Sequence, residues 1–342
     1  MAAVERMAEA PGSQGGLDLD PQDLKAVQNL KGRDLLELDD YDMAGLRGLL
    51  SLARTLRISE GRSMRHALDG RVVALFFRKA STRTRVTFES AAARLGATSL
   101  FLREQEIQVG RGESIEDTAM VLSGYVDALV IRTFGHDEIE RWAHSASIPV
   151  INALTDLAHP TQVAADLLTL EDEFGSLRGL PIAYLGDGNN MAHSYLIGAA
   201  MAGMEVRIAT PAGYDPDPLV VTRAQAIAQR TGARIVLTPS AEEAVDGARA
   251  VLTDVWASMG QEAQVEARRK VFAPYAVTEM LMKKADADAV FLHCLPAHRG
   301  EEVDADVIDG PRSRVAPEAH NRLWIEEAVL LAAIGWSDAD VL

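Results

Sequence analysis

The chain reads as an α/β protein of two domains, each a parallel β-sheet flanked by helices, with the active site in the interdomain cleft. Two observations predict this. Short apolar runs alternate with segments of helical periodicity along almost the whole length, the pattern of parallel sheets covered by helices. Nearly every residue suited to chemistry falls just beyond the carboxyl end of one of those runs, where open α/β sheets bind ligands.

Residues 1–29 carry Glu5, Glu9, Asp18, Asp20 and Asp23 among small residues and glycines. They lack the apolar core of a signal peptide and the basic, acid-poor character of a transit peptide, so a mobile extension on a cytoplasmic protein is expected. The first domain is expected over 30–160, with strands at 72–77, 98–102, 127–131 and 149–152. A bridging helix over 161–175 follows from apolar residues at helical spacing up to Phe174, with Gly175 as its stop. The second domain is expected over 176–320, with strands at 182–186, 204–209, 234–238, 249–253 and 289–293. A last helix, within 321–342 and clearest from Asn321 to Ile334, is expected to pack back on the first domain.

At 342 residues, 48% hydrophobic and 25% charged, the chain is long enough for two cores. No apolar run approaches the roughly 20 residues that span a bilayer. A net charge of −16 argues against nucleic acid as the main partner, and requires any anionic substrate to be held by a local basic cluster. The single cysteine, Cys294, excludes an internal disulfide and a Cys-rich metal site. No metal-ligand spacing stands out among the histidines and acids, and neither a metal nor a cofactor is expected.

Ser81-Thr82-Arg83-Thr84-Arg85 lies between the first apolar run and a helical segment from Val86 to Leu95. Three hydroxyls and two guanidinium groups meet the unpaired N–H groups of a helix start, which is a phosphate site. Ser81 is also a good N-cap, but arginines opposed to the helix dipole suit an anion better than they suit stability. Arg132 closes the third strand, where a rim salt bridge competes with a site role. In His159-Pro160-Thr161-Gln162, proline suits the first helical position, so His159 caps the helix and Gln162 stands one turn along on the same side. Together an imidazole and a carboxamide can donate to a carbonyl oxygen and accept from an amide N–H.

Gly186-Asp-Gly-Asn-Asn190 begins like a dinucleotide fingerprint and fails at Met191, where the third glycine would stand. The adjacent asparagines suit a polar small molecule at least as well. Asp254, followed by Ser258-Met259-Gly260, could bind an ammonium or simply cap a helix. In His293-Cys294-Leu295-Pro296, neighbouring side chains on an extended strand point apart, so His293 is badly placed to activate Cys294. Cys294 reads as a pocket wall and weak hydrogen-bonding group, or as a buried inert thiol.

In this order the motifs closely resemble the transcarbamoylase family, and within it the ornithine branch, over roughly nine tenths of the chain from about Leu30. Ser-Thr-Arg-Thr-Arg and His-Pro-x-Gln mark the family; Asp254 with Ser258-Met259-Gly260, and His293-Cys-Leu-Pro296, mark the branch. The resemblance implies transfer of the carbamoyl group from carbamoyl phosphate to the side-chain amine of L-ornithine, giving L-citrulline and phosphate. Alternatives are another amine acceptor (putrescine, lysine or a modified ornithine) and a catalytically silent family member. By resemblance, Ser81, Thr82, Arg83, Thr84, Arg132, His159, Gln162, Cys294, Leu295 and Arg322 hold carbamoyl phosphate, and Arg83, Thr84, Arg132, His159, Gln162 and Cys294 serve the chemistry. Asn190, Asp254, Ser258 and Met259 match the ornithine positions. Gln108, before Gly110-Arg-Gly-Glu113, matches a carbamoyl phosphate-site residue that in relatives reaches into the neighbouring subunit, which implies a homotrimer or a multiple of trimers. Arg78 and His320 depart from the acidic residues usual at their positions.

Overall fold

The computed structural model describes residue 17, residues 19–257 and residues 265–336. It opens with α1 (Pro21–Gln28), which corrects the expectation of a mobile extension through residue 29. Asp20 accepts a hydrogen bond from the Gln22 N–H and Pro21 supplies a preset first turn, so the helix starts cleanly. Val27 is only 1% exposed against the core, and Asp23 accepts from Arg47 and Ser51 of α2 (Met43–Ile58), both at 2.7 Å.

The first sheet comprises β1 (Val72–Phe77), β2 (Thr98–Arg103), β3 (Ala128–Arg132) and β4 (Val150–Leu154), all parallel in the order β2-β1-β3-β4. The second comprises β5 (Pro181–Leu185), β6 (Glu205–Ala209), β7 (Arg234–Thr238), β8 (Ala250–Thr253) and β9 (Val290–His293), parallel in the order β7-β6-β5-β8-β9. All nine expected strands form, with ends within two residues of those expected. The central strands are almost entirely apolar because helices cover both of their faces.

In the first sheet, α3 (Thr82–Arg94), α4 (Ile115–Ser123) and α5 (His136–Ser145) make the crossovers. The helix α6 (Pro160–Phe174) joins the sheets, buried from Pro160 through Leu170, and ends where Gly175 turns left-handed at φ 76°. In the second sheet α7 (Asn190–Ala202), α8 (Pro218–Thr231), α9 (Ala241–Val245), α10 (Val265–Phe272) and α11 (Glu279–Met282) connect the strands. The chain then passes through α12 (Ala305–Ile308) into α13 (Val315–Ile334).

The helix α13 packs on α2, α3 and α6. It begins six residues before Asn321, because Pro317 falls in its first turn, where no intrahelical N–H is needed. Its Ile325, Ala328, Val329, Leu330, Leu331 and Ala332 are all 0% exposed, in a core that continues through α6 into both sheets. No described helix is long and apolar enough to cross a membrane.

Strand order reverses between β1 and β3 in the first sheet and between β5 and β8 in the second. A crevice opens at such switch points because successive crossovers leave in opposite directions. The residues that follow β1, β3, β5 and β8 are therefore the ones the fold presents to a ligand.

Candidate active site

A cavity of about 600 Å³ lies between the two crests of strand ends. Its walls include Ser81, Thr82, Arg83, Thr84 and Arg132 from the first sheet's switch point, His159 from the start of α6, Asn190 and Asp254 from the second switch point, Cys294 and Leu295 after β9, and Arg322 from α13.

One end of the cavity is cationic. Ser81 caps α3, its Oγ accepting from the Thr84 N–H at 3.3 Å, and this turns the helix N-terminus toward the cavity. Arg322 reaches over from α13, and its Nη2 donates to Thr84 Oγ1 and to Glu326 Oε1, both at 2.9 Å. Arg83 and Arg132 complete the group. Burial and then Arg322 lower the Arg83 guanidinium from its ordinary value. Burial, then Arg322 and Arg83, bring Arg132 down to about 10. The same three guanidiniums, after burial itself, hold the His159 imidazole well below its usual range, so it is neutral at pH 7. Arg132 Nε, Arg322 Nε and His159 Nδ1 are buried with no hydrogen-bond partner among the described residues.

The opposite end is acidic and polar. Asp254 is 8% exposed and accepts from Asn189 Nδ2 at 3.1 Å and from Cys294 Sγ at 3.2 Å. Burial, and then Asp254, push the Cys294 thiol well above its usual range, so Cys294 is a neutral donor rather than a nucleophile. His293 faces away as expected: its Nδ1 accepts from the Leu295 N–H at 2.9 Å, and its Nε2 lies 3.4 Å from Glu302. Asn189 caps α7 by accepting from the N–H groups of Met191 and Ala192, while Asn190 donates to the Thr155 carbonyl at 2.8 Å and ties the second sheet to the first.

The second glycine of the pair, Gly188, has a packing cause rather than a nucleotide one. A Cβ on Gly188 would lie 2.3 Å from the Pro216 nitrogen and 2.5 Å from the Tyr214 carbonyl oxygen, so the 214–216 backbone occupies that space.

Not every expected residue reaches the wall. Gln162 does not line the cavity beside His159; it is 1% exposed and its Nε2 donates to Asp166 and Glu318, both at 2.9 Å. The cause is helical geometry: a buried acid stands one turn further along α6 and draws the carboxamide inward. Gln108 is exposed in the short 3₁₀ segment Gln108–Arg111 and does not line its own chain's cavity. Ser258 and Met259 lie outside the described residues. Sequence reasoning missed Lys79, Thr155, Asp156 and His298 in the wall, and Asp166 and Glu318 behind it. An acid four residues after Gln162, and another four before Arg322, each in a mostly apolar helix, were the available signal.

The two departures from the family pattern lie off the wall. Arg78 bridges Glu104 and Glu138 at 2.6 Å each, and His320 is exposed on α13. Elsewhere His298, Glu301 and Glu302 bring ligand atoms within 4.8 Å of one another, with Glu301 already paired to Arg269 Nε at 3.0 Å.

A cavity with guanidiniums at one end and a carboxylate at the other accommodates an anion and an ammonium side by side. The comparisons with known proteins agree. Residues 33–172 match the family model described as "Aspartate/ornithine carbamoyltransferase, carbamoyl-P binding domain", and residues 178–333 match "Aspartate/ornithine carbamoyltransferase, Asp/Orn binding domain". An ornithine carbamoyltransferase of Gloeobacter violaceus is 53% identical over 302 residues, 88% of this chain and 96% of that one. One from Anoxybacillus flavithermus is 50% identical over 91% of this chain and 99% of its own. Among solved structures, the ornithine carbamoyltransferase of Pyrococcus furiosus superposes with a TM-score of 0.86 at 46% identity, covering 89% of this chain and 98% of that chain. Since two family models cover nearly the whole fold and the cavity between them is lined by Ser81 to Thr84 and His159 of the two family motifs, this chain belongs to the aspartate/ornithine carbamoyltransferase family.

Proposed function

We propose that the chain catalyses carbamoyl transfer from carbamoyl phosphate to the side-chain amine of L-ornithine, giving L-citrulline and phosphate. The observation that carries this reading is the two-ended cavity, cationic at Arg83, Arg132 and Arg322 and anionic at Asp254. Relatives at about half identity carry the name of that enzyme over nearly their whole length.

Phosphate fits the cationic end, against the α3 N-terminus with Ser81, Thr82 and Arg83. Asp254 takes the α-ammonium of ornithine, with Asn190 beside it. Ser258 and Met259 are kept as ornithine contacts on the resemblance alone. The attacking amine must be neutral; with a pKa near that of lysine, about 10.4, only about 0.1% is neutral at pH 7.5. Attack forms a C–N bond and gathers charge on the carbamoyl oxygen. Thr84, Arg132 and His159 face that oxygen, each worth on the order of 3 kcal/mol by analogy with oxyanion-hole deletions. Because Arg322 already donates to Thr84 Oγ1, the Thr84 proton is free to be given to the substrate. His159, neutral, acts as a hydrogen-bond donor and not as an acid. The Leu295 carbonyl accepts from the carbamoyl NH2, Gln162 Oε1, just behind the wall, is kept as a second acceptor on the resemblance alone, and the Cys294 thiol steadies Asp254. As the C–O bond breaks, the electron pair leaves with phosphate, which then takes the proton the amine loses. Gln108 completes the site of a neighbouring subunit in a homotrimer.

The test of the reaction supplies purified protein with carbamoyl phosphate and, separately, L-ornithine, L-lysine, putrescine and N-acetyl-L-ornithine, with a colour reaction for the ureido group. Product with ornithine alone is expected; product with another amine overturns the acceptor, and none from folded protein overturns the reaction. Arg83→Ala is expected to weaken carbamoyl phosphate binding by about ten- to a hundredfold, the loss of a charged hydrogen-bond donor, while Asp254→Ala leaves it nearly unchanged. Equal losses in a direct titration contradict this division. At subsaturating ornithine the rate is expected to rise about tenfold per pH unit from 6 to 8, since only the amine gives up a proton. His159 is already neutral there, and a slope of two below pH 6.5 would return it to the usual range. For the assembly, mixing Gln108→Ala chains with Arg83→Ala chains is expected to restore part of the activity, because some sites then draw both intact residues from different subunits. No recovery in mixed oligomers contradicts a shared site.

A further inference from the structure

Behind the cavity wall lies a polar group that the proposed reaction does not by itself explain. Gln162, Asp166, Tyr195 and Glu318 are all 2% exposed or less. Gln162 Nε2 donates to Asp166 Oδ1 and to Glu318 Oε1, both at 2.9 Å. Tyr195 on α7 donates to Asp166 Oδ2 at 2.6 Å, and the backbone N–H of His293, at the end of β9, donates to Glu318 Oε2 at 2.9 Å. All four carboxyl oxygens are thus occupied. Gln162 Oε1 is buried and has no partner among the described residues.

Two carboxyl groups in an apolar helix interface, neither within 4 Å of a cationic nitrogen among the described residues, cost stability that hydrophobic side chains would not. They do fix one thing. A carboxamide has an acceptor on one side and donors on the other, and turning it over here would set its oxygen against both acids. Gln162, one turn along α6 from the wall residue His159, can therefore offer only its oxygen to a group that reaches it.

We propose that Asp166 and Glu318 are positioning residues that lock the polarity of Gln162, and through it make the site choose a carbamoyl group over an acyl group of the same size. The inference rests on the proposed carbamoyl transfer. A carbamoyl NH2 donates to the locked Oε1; the methyl of acetyl phosphate cannot, and inorganic phosphate never reaches it. Burial and the neighbouring Asp166 hold the Glu318 carboxyl well above its usual range, so the pair avoids two full charges and keeps the hydrogen bonds described.

The test compares carbamoyl phosphate, acetyl phosphate and inorganic phosphate by calorimetric titration of the whole protein, without ornithine. In Asp166→Asn and Glu318→Gln the preference for carbamoyl over acetyl phosphate is expected to fall about tenfold, with phosphate affinity changed less than about twofold. Tyr195→Phe, which removes one donor to Asp166 and keeps the ring packing, is expected to give a smaller fall in the same direction. An unchanged preference in the folded variants overturns the proposal, as does a parallel weakening of all three anions, the mark of a merely structural role. If both acid variants fail to fold, Tyr195→Phe decides by the same ratio. Citrulline formation by the unaltered protein is recorded in the same series: its absence overturns the reaction, whereas citrulline with an unmoved ratio overturns only the lock.

Discussion

Three guanidinium groups held together in a half-buried space are the constraint that the rest of the structure serves. Arg83, Arg132 and Arg322 come from a helix start, a strand end and the last helix; beyond burial, Arg83 is depressed by Arg322, and Arg132 by Arg322 and Arg83. Like charges a few ångströms apart repel by about 4 kcal/mol at an effective dielectric near 20, so nothing local would gather them. They are gathered because their carriers are immobile. The strand β3 is central in its sheet, and α13 is packed on three helices by side chains with no exposure. The stability of the core is what offsets an arrangement that is unfavourable until an anion arrives.

The same logic explains the contrast between the outside and the inside of the molecule. A net charge of −16 repels anions at long range, but salt screens exposed charges beyond about 8–10 Å, while buried charges are screened much less. Discrimination is thus left to short-range contacts: three arginines, a helix N-terminus and a neutral imidazole that adds a hydrogen bond without adding repulsion. Neutrality of His159 comes first from its burial and then from the cluster, since the same arginines also keep the imidazole from charging.

The second sheet works differently. Its residues are fixed by caps and close backbone approach rather than by repulsion overcome: Asn189 closes the α7 N-terminus and bonds Asp254, and Gly188 admits the 214–216 backbone. Bonds across the two halves concentrate near the β4–α6 connection, where Asn190 donates to Thr155, the His159 N–H donates to Ser194 and His193 Nδ1 donates to Leu157. Charge from one sheet and hydrogen-bonding groups from the other are therefore brought to one cavity by contacts that lie at its floor.

How much of this was legible depends on the range of the physics involved. The nine strands, the α6 helix with its glycine stop and the Ser81-capped start of α3 are written locally, in apolar runs, a proline, a glycine and a cap, and the sequence by itself determined them. Ser81 to Thr84, Arg132, His159 and Asp254 were legible too, because a parallel sheet fixes where the ends of its strands must face. The ordered α1 was obscured by an acidic, glycine-rich segment before it, and the early start of α13 by Pro317, whose place in a first turn depends on where the helix begins. Only the tertiary structure decided that Gln162 turns inward to Asp166 and Glu318, that Arg322 meets Thr84 across 238 positions of sequence, and that Cys294 is a neutral donor to Asp254. Each of those outcomes is set by which charged and polar groups become neighbours once water is excluded; local spacing offers Asp166 to Gln162, but the partners Glu318, Thr84 and Asp254 come from distant sequence.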